Sequence, residues 1–223
     1  IDMIAMSRYG KKFGWTGGVN KRSVSELVIS FAIALLRHVP ASHREVLSGT
    51  WRQHVGGHLS GRTVGVIGCG HIGKDLIKLL QPFECSILVN DIRNYEDFYN
   101  KYNIKDVEKE ELLERADIVT LHVPLDQSTQ NMLSNKRLAL MKKSAILINV
   151  ARGGLVDEIA LKNMLLNNCL AGAAFDVFLV EPPQDKELLS LPNFLVTPHI
   201  GGSAQEAILA MGRSAIQGLE VLS

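Results

Sequence analysis

Residues 63–73 read Thr63-Val64-Gly65-Val66-Ile67-Gly68-Cys69-Gly70-His71-Ile72-Gly73. A short β-branched run passes directly into Gly-x-Gly-x-x-Gly and then into helical spacing, and this strand-turn-helix context is what gives an otherwise weak motif its meaning. Gly68 permits the tight turn, and Gly70 lets a pyrophosphate approach the backbone. Gly73 lets helix and strand pack closely, and the helix N-terminus offers free N–H groups to phosphate. The stretch predicts the first strand-helix step of a dinucleotide-binding sheet.

Working outward, the same rhythm repeats. Runs rich in β-branched residues at 86–90, 118–123, 145–150, 170–177 and 194–197 join 63–67, with a weaker one at 104–107. Helical patterns separate them at 72–80, 108–115, 135–141, 158–167 and 204–222. Apolar runs of this kind read as parallel strands buried on both faces. Right-handed crossovers then make a doubly wound α/β sheet whose ligand crevice lies beyond the carboxyl ends of the strands. Upstream, Ser23 and Glu26 have the spacing of a capping box before the apolar positions Val24, Leu27, Val28, Phe31 and Leu35, and Pro40 is expected to close that helix. Residues 41–61, polar and rich in His and Gly, suggest a helical turn and a loop. Gly10, Gly14, Gly17 and Gly18 break any regular element in residues 1–22, which read as a connector.

Asp91 stands eighteen residues beyond Gly73, at the end of the next strand. A carboxylate there accepts hydrogen bonds from ribose hydroxyls and repels a 2′-phosphate, so the pattern favours NAD over NADP. Arg93 nearby would partly offset that repulsion.

Bulk properties narrow the partners. The 24 basic residues nearly balance the 23 acidic ones, and no basic stripe forms, so a small molecule is a better partner than nucleic acid or an anionic membrane. Cys69, Cys85 and Cys169 are too few and too scattered for a disulfide framework or a Cys-rich zinc site, which suggests a reducing, cytoplasmic setting. His54 and His58 have helical ligand spacing, but Gly56 and Gly57 lie between them and no carboxylate completes the set, so no metal is expected. Cys69 reads as small-residue packing, His122 as a strand-end residue lining the adenine side, and Trp51 as packing, subunit contact or substrate contact.

Three later segments add chemistry, each after an expected strand: Asn149-Val150-Ala151-Arg152-Gly153-Gly154, Asp176-Val177-Phe178-Leu179-Val180-Glu181-Pro182, and Pro198-His199-Ile200-Gly201-Gly202. Redox chemistry with a nicotinamide on a carbon bearing a hydroxyl requires a base for the hydroxyl proton, a cation for the substrate's oxygens, and a fixed distance to the ring. His199 suits the first role because imidazole titrates near neutral pH. Glu181 is placed to bond its far nitrogen, fixing the tautomer and favouring the protonated form. Arg152 presents a planar fork for a carboxylate.

Together with the glycine loop, these segments resemble the D-isomer-specific 2-hydroxy acid dehydrogenases, the family of 3-phosphoglycerate dehydrogenase, D-lactate dehydrogenase and hydroxypyruvate reductase. The resemblance runs from about Ser23 to the C-terminus. It implies a Rossmann-type NAD-binding domain with His199, Glu181 and Arg152 as catalytic residues. It also implies that Asp176 meets the nicotinamide amide, and that the chain around His71, Ile72, Val123, Val150, Ala151, Gly201 and Gly202 lines NAD. Family members carry a separate substrate domain, of which at most residues 1–22 are present, with the dinucleotide domain at 23–223 and its last helix returning toward the substrate domain. The chain starts at Ile1 and ends within a helical pattern, so it reads as an internal piece of a longer protein. The same family includes NAD-sensing corepressors and NADP-dependent glyoxylate or hydroxypyruvate reductases, which stand as alternatives. A homodimer is expected from the family and from the apolar helix at 24–39, which needs cover.

Overall fold

A computed structural model describes residues 2–11 and 14–220. Among the described residues ten α-helices and seven strands form, and they alternate from residue 63 onward. The strands are β1 (Thr63–Ile67), β2 (Ser86–Asn90), β3 (Lys105–Asp106), β4 (Ile118–Leu121), β5 (Ile146–Asn149), β6 (Gly172–Phe175) and β7 (Phe194–Val196). The helices are α1 (Met3–Arg8), α2 (Lys21–Leu36), α3 (Val39–Leu47), α4 (His71–Leu80), α5 (Glu96–Tyr102), α6 (Lys109–Arg115), α7 (Asn135–Leu138), α8 (Glu158–Leu166), α9 (Lys186–Ser190) and α10 (Gln205–Glu220). The last two positions of the expected helix at 204–222 lie outside the described residues.

All seven strands are parallel, in the order β3-β2-β1-β4-β5-β6-β7. The order reverses between β1 and β4, the switch point at which doubly wound sheets open a crevice. The register levels the strand ends. Asn90, Ile67, Leu121, Asn149, Phe175 and Val196 form one row across the sheet. The residues that follow that row are therefore Asp91, Gly68, His122, Val150, Asp176 and Thr197, side by side above it.

Each sheet face has its own apolar layer. Val64, Val66, Val89, Ile118 and Ile148 point toward α2 and α4, where Val28, Phe31, Leu76 and Ile77 meet them. Ile67, Leu88, Val119, Leu121 and Leu147 point the other way, against Leu112, Leu113, Leu161 and Leu165 of α6 and α8. Burial on both faces is why these strands read as continuous apolar runs rather than alternating ones.

The first sixty residues depart from expectation. Residues 3–8 form a helix, α1, whose start is capped by Asp2 accepting from the Ala5 N–H at 2.9 Å. The Ser23–Glu26 capping box does not form. The helix begins at Lys21, which puts Ser23 inside its first turn, and Asn20 makes no side-chain cap there. Pro40 does not close α2 either. The helix stops at Leu36, His38 turns the chain with φ 54°, and Pro40 sits in the first turn of α3, where proline lacks nothing a helix needs. The apolar side of α2 needs no second subunit as cover, because Val24, Val28, Phe31, Ala32 and Leu35 are buried against α4 and the sheet. Among the uncovered apolar groups are Val46, Leu47, Trp51 and Val55 further on, the last two 85% and 95% exposed. No single helix among the described residues is long and apolar enough to cross a membrane.

Candidate active site at the strand ends

The glycine loop leaves β1 at Gly68, whose φ of +100° is a conformation L side chains avoid, and a Cβ there would come within 2.6 Å of the His122 carbonyl oxygen. At Gly73 a Cβ would run into the Gly68 carbonyl, so the helix packs on the loop only because that position is bare. Gly70 differs: nothing lies within 4 Å of a Cβ placed on it. That open space faces the start of α4, whose first-turn N–H groups receive no side-chain cap from Gly70. An uncapped helix start beside an open glycine is a cradle for a phosphate group.

Asp91 lies beside this loop and is half-buried. Its Oδ2 accepts from the Cys69 N–H at 2.5 Å and its Oδ1 from the Arg93 N–H at 2.8 Å. A carboxylate has about four acceptor positions, so capacity remains for a ribose while the side chain stays pinned. Cys69 is fully buried, and that burial pushes its thiol up to about 11, which makes it packing rather than a nucleophile.

At the other end of the row, side chains build the turns. Asn149 is buried, donating to the Arg152 carbonyl at 2.9 Å and accepting from the Ala151 N–H at 3.2 Å. Gly153 follows because its Cβ position is occupied by the Phe178 backbone. Arg152 is thereby left exposed at the mouth of the crevice. Asp176, 1% exposed, accepts from the Thr197 hydroxyl at 2.5 Å and from the Ile200 and Gly201 N–H groups at 2.7 Å each. Its own carbonyl accepts from the His199 N–H at 2.9 Å. Three of its about four acceptor positions are therefore taken by the loop that carries His199. Ser23, freed from capping, donates to the Gly201 carbonyl at 2.6 Å and accepts from the Ala204 N–H at 3.3 Å.

His199 adopts φ 56°, a left-handed conformation that a side chain enters only when its surroundings hold it there. Its Nδ1 meets Glu181 Oε2 at 3.0 Å, while Glu181 Oε1 accepts from the Phe178 N–H at 3.1 Å. The bond to His199, then the one from Phe178, hold the Glu181 carboxyl below the usual carboxylate range. An ionised Glu181 on Nδ1 selects the tautomer with its proton there and leaves Nε2 open.

A cavity of about 480 Å³ joins these parts. It is lined by Ile72, Val123, Val150, Ala151, Arg152, Asp176, His199, Gly201 and Gly202 of the sequence-derived set. Gly68, Gly70, His71, Gly73 and Asp91 lie at the neighbouring end of the row, and Glu181 stands behind His199.

Sequence reasoning missed Trp15, which is 71% exposed and lines the cavity, and it missed Ser214 and Thr197. Gly17 and Gly18, just after Trp15, were read only as helix breakers. They pack on the cofactor loop: a Cβ on Gly18 would meet the His71 ring at 2.5 Å. His122 also lines the cavity. Its Nε2 lies 3.0 Å from the Thr120 hydroxyl, its Nδ1 is buried without a partner, and burial lowers its pKa to about 3. It is neutral at physiological pH and does not compete with His199 as an acid.

The geometry fits a dinucleotide on the bare Gly70 cradle, with a carboxylate for its ribose and a histidine-carboxylate pair further along. Comparison with known proteins agrees. Residues 29–201 match the family described as D-isomer specific 2-hydroxyacid dehydrogenase, NAD binding domain. D-3-phosphoglycerate dehydrogenase of Bacillus subtilis is 40% identical over 211 residues, covering 94% of this chain and 40% of that protein. The Methanocaldococcus jannaschii enzyme of the same name is 40% identical over 85% of this chain and 37% of its own length. The chain thus spans about two fifths of these relatives. Among solved structures, D-lactate dehydrogenase with NAD+ from Lactobacillus jensenii superposes with a TM-score of 0.90 at 27% identity, covering 100% of this chain and 72% of that one. D-2-hydroxyisocaproate dehydrogenase gives 0.93 at 28% identity, covering 99% and 71%. With its glycine cradle, its levelled strand ends and these relatives, the chain belongs to the D-isomer specific 2-hydroxyacid dehydrogenase family, whose NAD binding domain it carries.

Proposed function

We propose that the whole protein interconverts a D-2-hydroxy acid and its 2-keto acid with NAD(H), and that His199, Glu181 and Arg152 are its catalytic residues. The observation that carries this reading is the His199–Glu181 pair, held at 3.0 Å on a loop clamped by Asp176, with exposed Arg152 on the same cavity. Bound NAD supplies the hydride acceptor. Arg152 holds the substrate carboxylate in its planar fork and polarises the oxygen at the reacting carbon. His199 Nε2 takes the hydroxyl proton in oxidation and returns it in reduction, while Glu181 stabilises the imidazolium through Nδ1. The first turn of α4 binds pyrophosphate, and Asp91 accepts from the adenosine ribose. Ile72, Val150 and the backbone at Gly201 and Gly202 line the nicotinamide end.

The names of the curated relatives make 3-phosphoglycerate the first substrate to test. The measurement is NAD reduction by the whole protein with 3-phosphoglycerate, and NADH oxidation with a panel of 2-keto acids, alongside His199→Asn. The variant should lose about 10²-fold or more in turnover with little change in NAD affinity. Near-normal turnover removes His199 from the role. NAD binding without turnover on any keto acid favours a cofactor-sensing protein of the same fold instead.

The protein is further proposed to be a homodimer in the cytoplasm, with three free thiols consistent with a reducing compartment. The apolar groups at Val46, Leu47, Trp51 and Val55 are the face that a second copy would cover. Light scattering that finds only monomer counts against it.

A further inference from the structure

Lys74 is the residue directly after the third glycine, on α4, and it does not pair with Asp91. Its ammonium lies over the face of the Tyr95 ring, 3.4 Å from the ring centre, with the Phe98 ring 5.5 Å away. Tyr95 precedes α5 on the loop that leaves β2, four residues past Asp91, and stands edge-on to Tyr99 with ring centres 6.2 Å apart. The Asp91 oxygens are engaged by two backbone N–H groups, from Cys69 and Arg93, and by no cation among the described residues. Yet the two flank one another in the fold: Asp91 accepts from the N–H of Cys69, five residues before Lys74, and the ring that holds Lys74 stands four residues past Asp91.

A lysine ammonium is a compact charge on a flexible stem and moves to the best anion within reach. Here an aromatic face competes for it. The quadrupole of a phenol ring attracts a cation directly above it, and partial burial strengthens that attraction. With Lys74 detained, the Asp91 carboxylate keeps its full charge toward the ribose edge. Released, the ammonium would offset that charge and offer a partner to a 2′-phosphate.

We propose that Tyr95 determines cofactor preference. Its ring holds Lys74 away from the ribose edge and so keeps that edge anionic, selecting a 2′-hydroxyl over a 2′-phosphate. This rests on the reading of the crevice as a dinucleotide site.

The test is calorimetric titration of the whole protein with NAD and with NADP. Tyr95→Leu removes the π-face and should tighten NADP binding about three- to tenfold while NAD affinity stays within about twofold. Tyr95→Phe keeps the face and should match the parent. Adding Lys74→Met to Tyr95→Leu should erase the gain. Lys74→Met alone should leave the NAD to NADP ratio within about twofold of the parent, because the charge is already sequestered. That last variant changes a half-buried side chain on a helix and tests the idea even if the leucine variant does not fold. Unchanged NADP affinity in Tyr95→Leu, a gain that survives Lys74→Met, or a severalfold loss of NADP affinity in Lys74→Met alone each overturns the proposal. A parent that binds neither dinucleotide overturns both this proposal and the crevice reading beneath it.

Discussion

The crevice turns its chain sharply at both ends, by opposite means. At β1 the turn is made by leaving side chains out: Gly68 takes φ +100° because it has no Cβ, and Gly73 lies against the Gly68 carbonyl for the same reason. At β7 the left-handed residue is His199, with φ 56° and a full imidazole, and the conformation is held by a buried carboxylate from another strand. A left-handed non-glycine residue costs about 1–2 kcal/mol, which three hydrogen bonds to Asp176 readily offset. The glycine turn is a local property of eleven residues. The histidine turn exists only while β6 and β7 are paired and Asp176 is dry.

The largest way to break the histidine end is Asp176→Ala. It strands the Thr197 hydroxyl, the buried Gly201 N–H and the part-buried Ile200 N–H, and since a buried group left unpaired costs about 1–3 kcal/mol, a loss of roughly 4 kcal/mol is expected in urea unfolding. A loss below about 1 kcal/mol would mean that the His199 loop holds itself. At the glycine end the corresponding change is Gly68→Ala, which meets both the positive φ and the His122 carbonyl. Its expected cost is roughly 2–4 kcal/mol.

Between those ends lies His122, whose neutral form burial enforces. Its folded pKa of about 3 is below the unfolded value near 6.5, so the unfolded chain binds the extra proton between those limits. The stability this group contributes is present above about pH 6.5 and is lost as the pH falls toward 3. Relative to His122→Phe, the parent should lose about 1.4 kcal/mol per pH unit within that window. Urea midpoints at pH 7 and pH 5 measure it, and parallel curves for the two proteins would show that the ring is hydrated. The smallest effect on the fold, and the sharpest contrast with Gly68, is Gly70→Ala. Its φ is −76° and its Cβ would enter open space, so stability should change by less than about 1 kcal/mol while NAD affinity falls about tenfold or more. Equal NAD affinity would place the pyrophosphate elsewhere.

The contrast explains what could be read without coordinates. The β1-loop-α4 unit, the parallel strands and their positions were legible, because runs such as Thr63–Ile67 carry apolar side chains on both faces and glycines punctuate them locally. Ser23 misled, since its capping pattern is real in sequence, but the helix starts earlier and its hydroxyl is claimed by Gly201, 178 residues away. Trp15 went unnoticed because nothing in its neighbours announces a cavity wall. The short helices α5 and α9 were missed, and length alone was not the reason, since α6 with seven residues and α7 with four were read.

The amino-acid sequence by itself determined the alternation of strands and helices, the bare glycine cradle and the identity of the groups at each strand end, since these follow from side-chain volume, β-branching and local backbone freedom. Only the tertiary structure decided that the strand ends lie level, that Asp176 spends its oxygens on the loop carrying His199, and that Lys74 rests on Tyr95 instead of pairing with Asp91. Each of those depends on which of several partners a polar group meets first in three dimensions, and that choice is made by register and burial between segments distant in the chain.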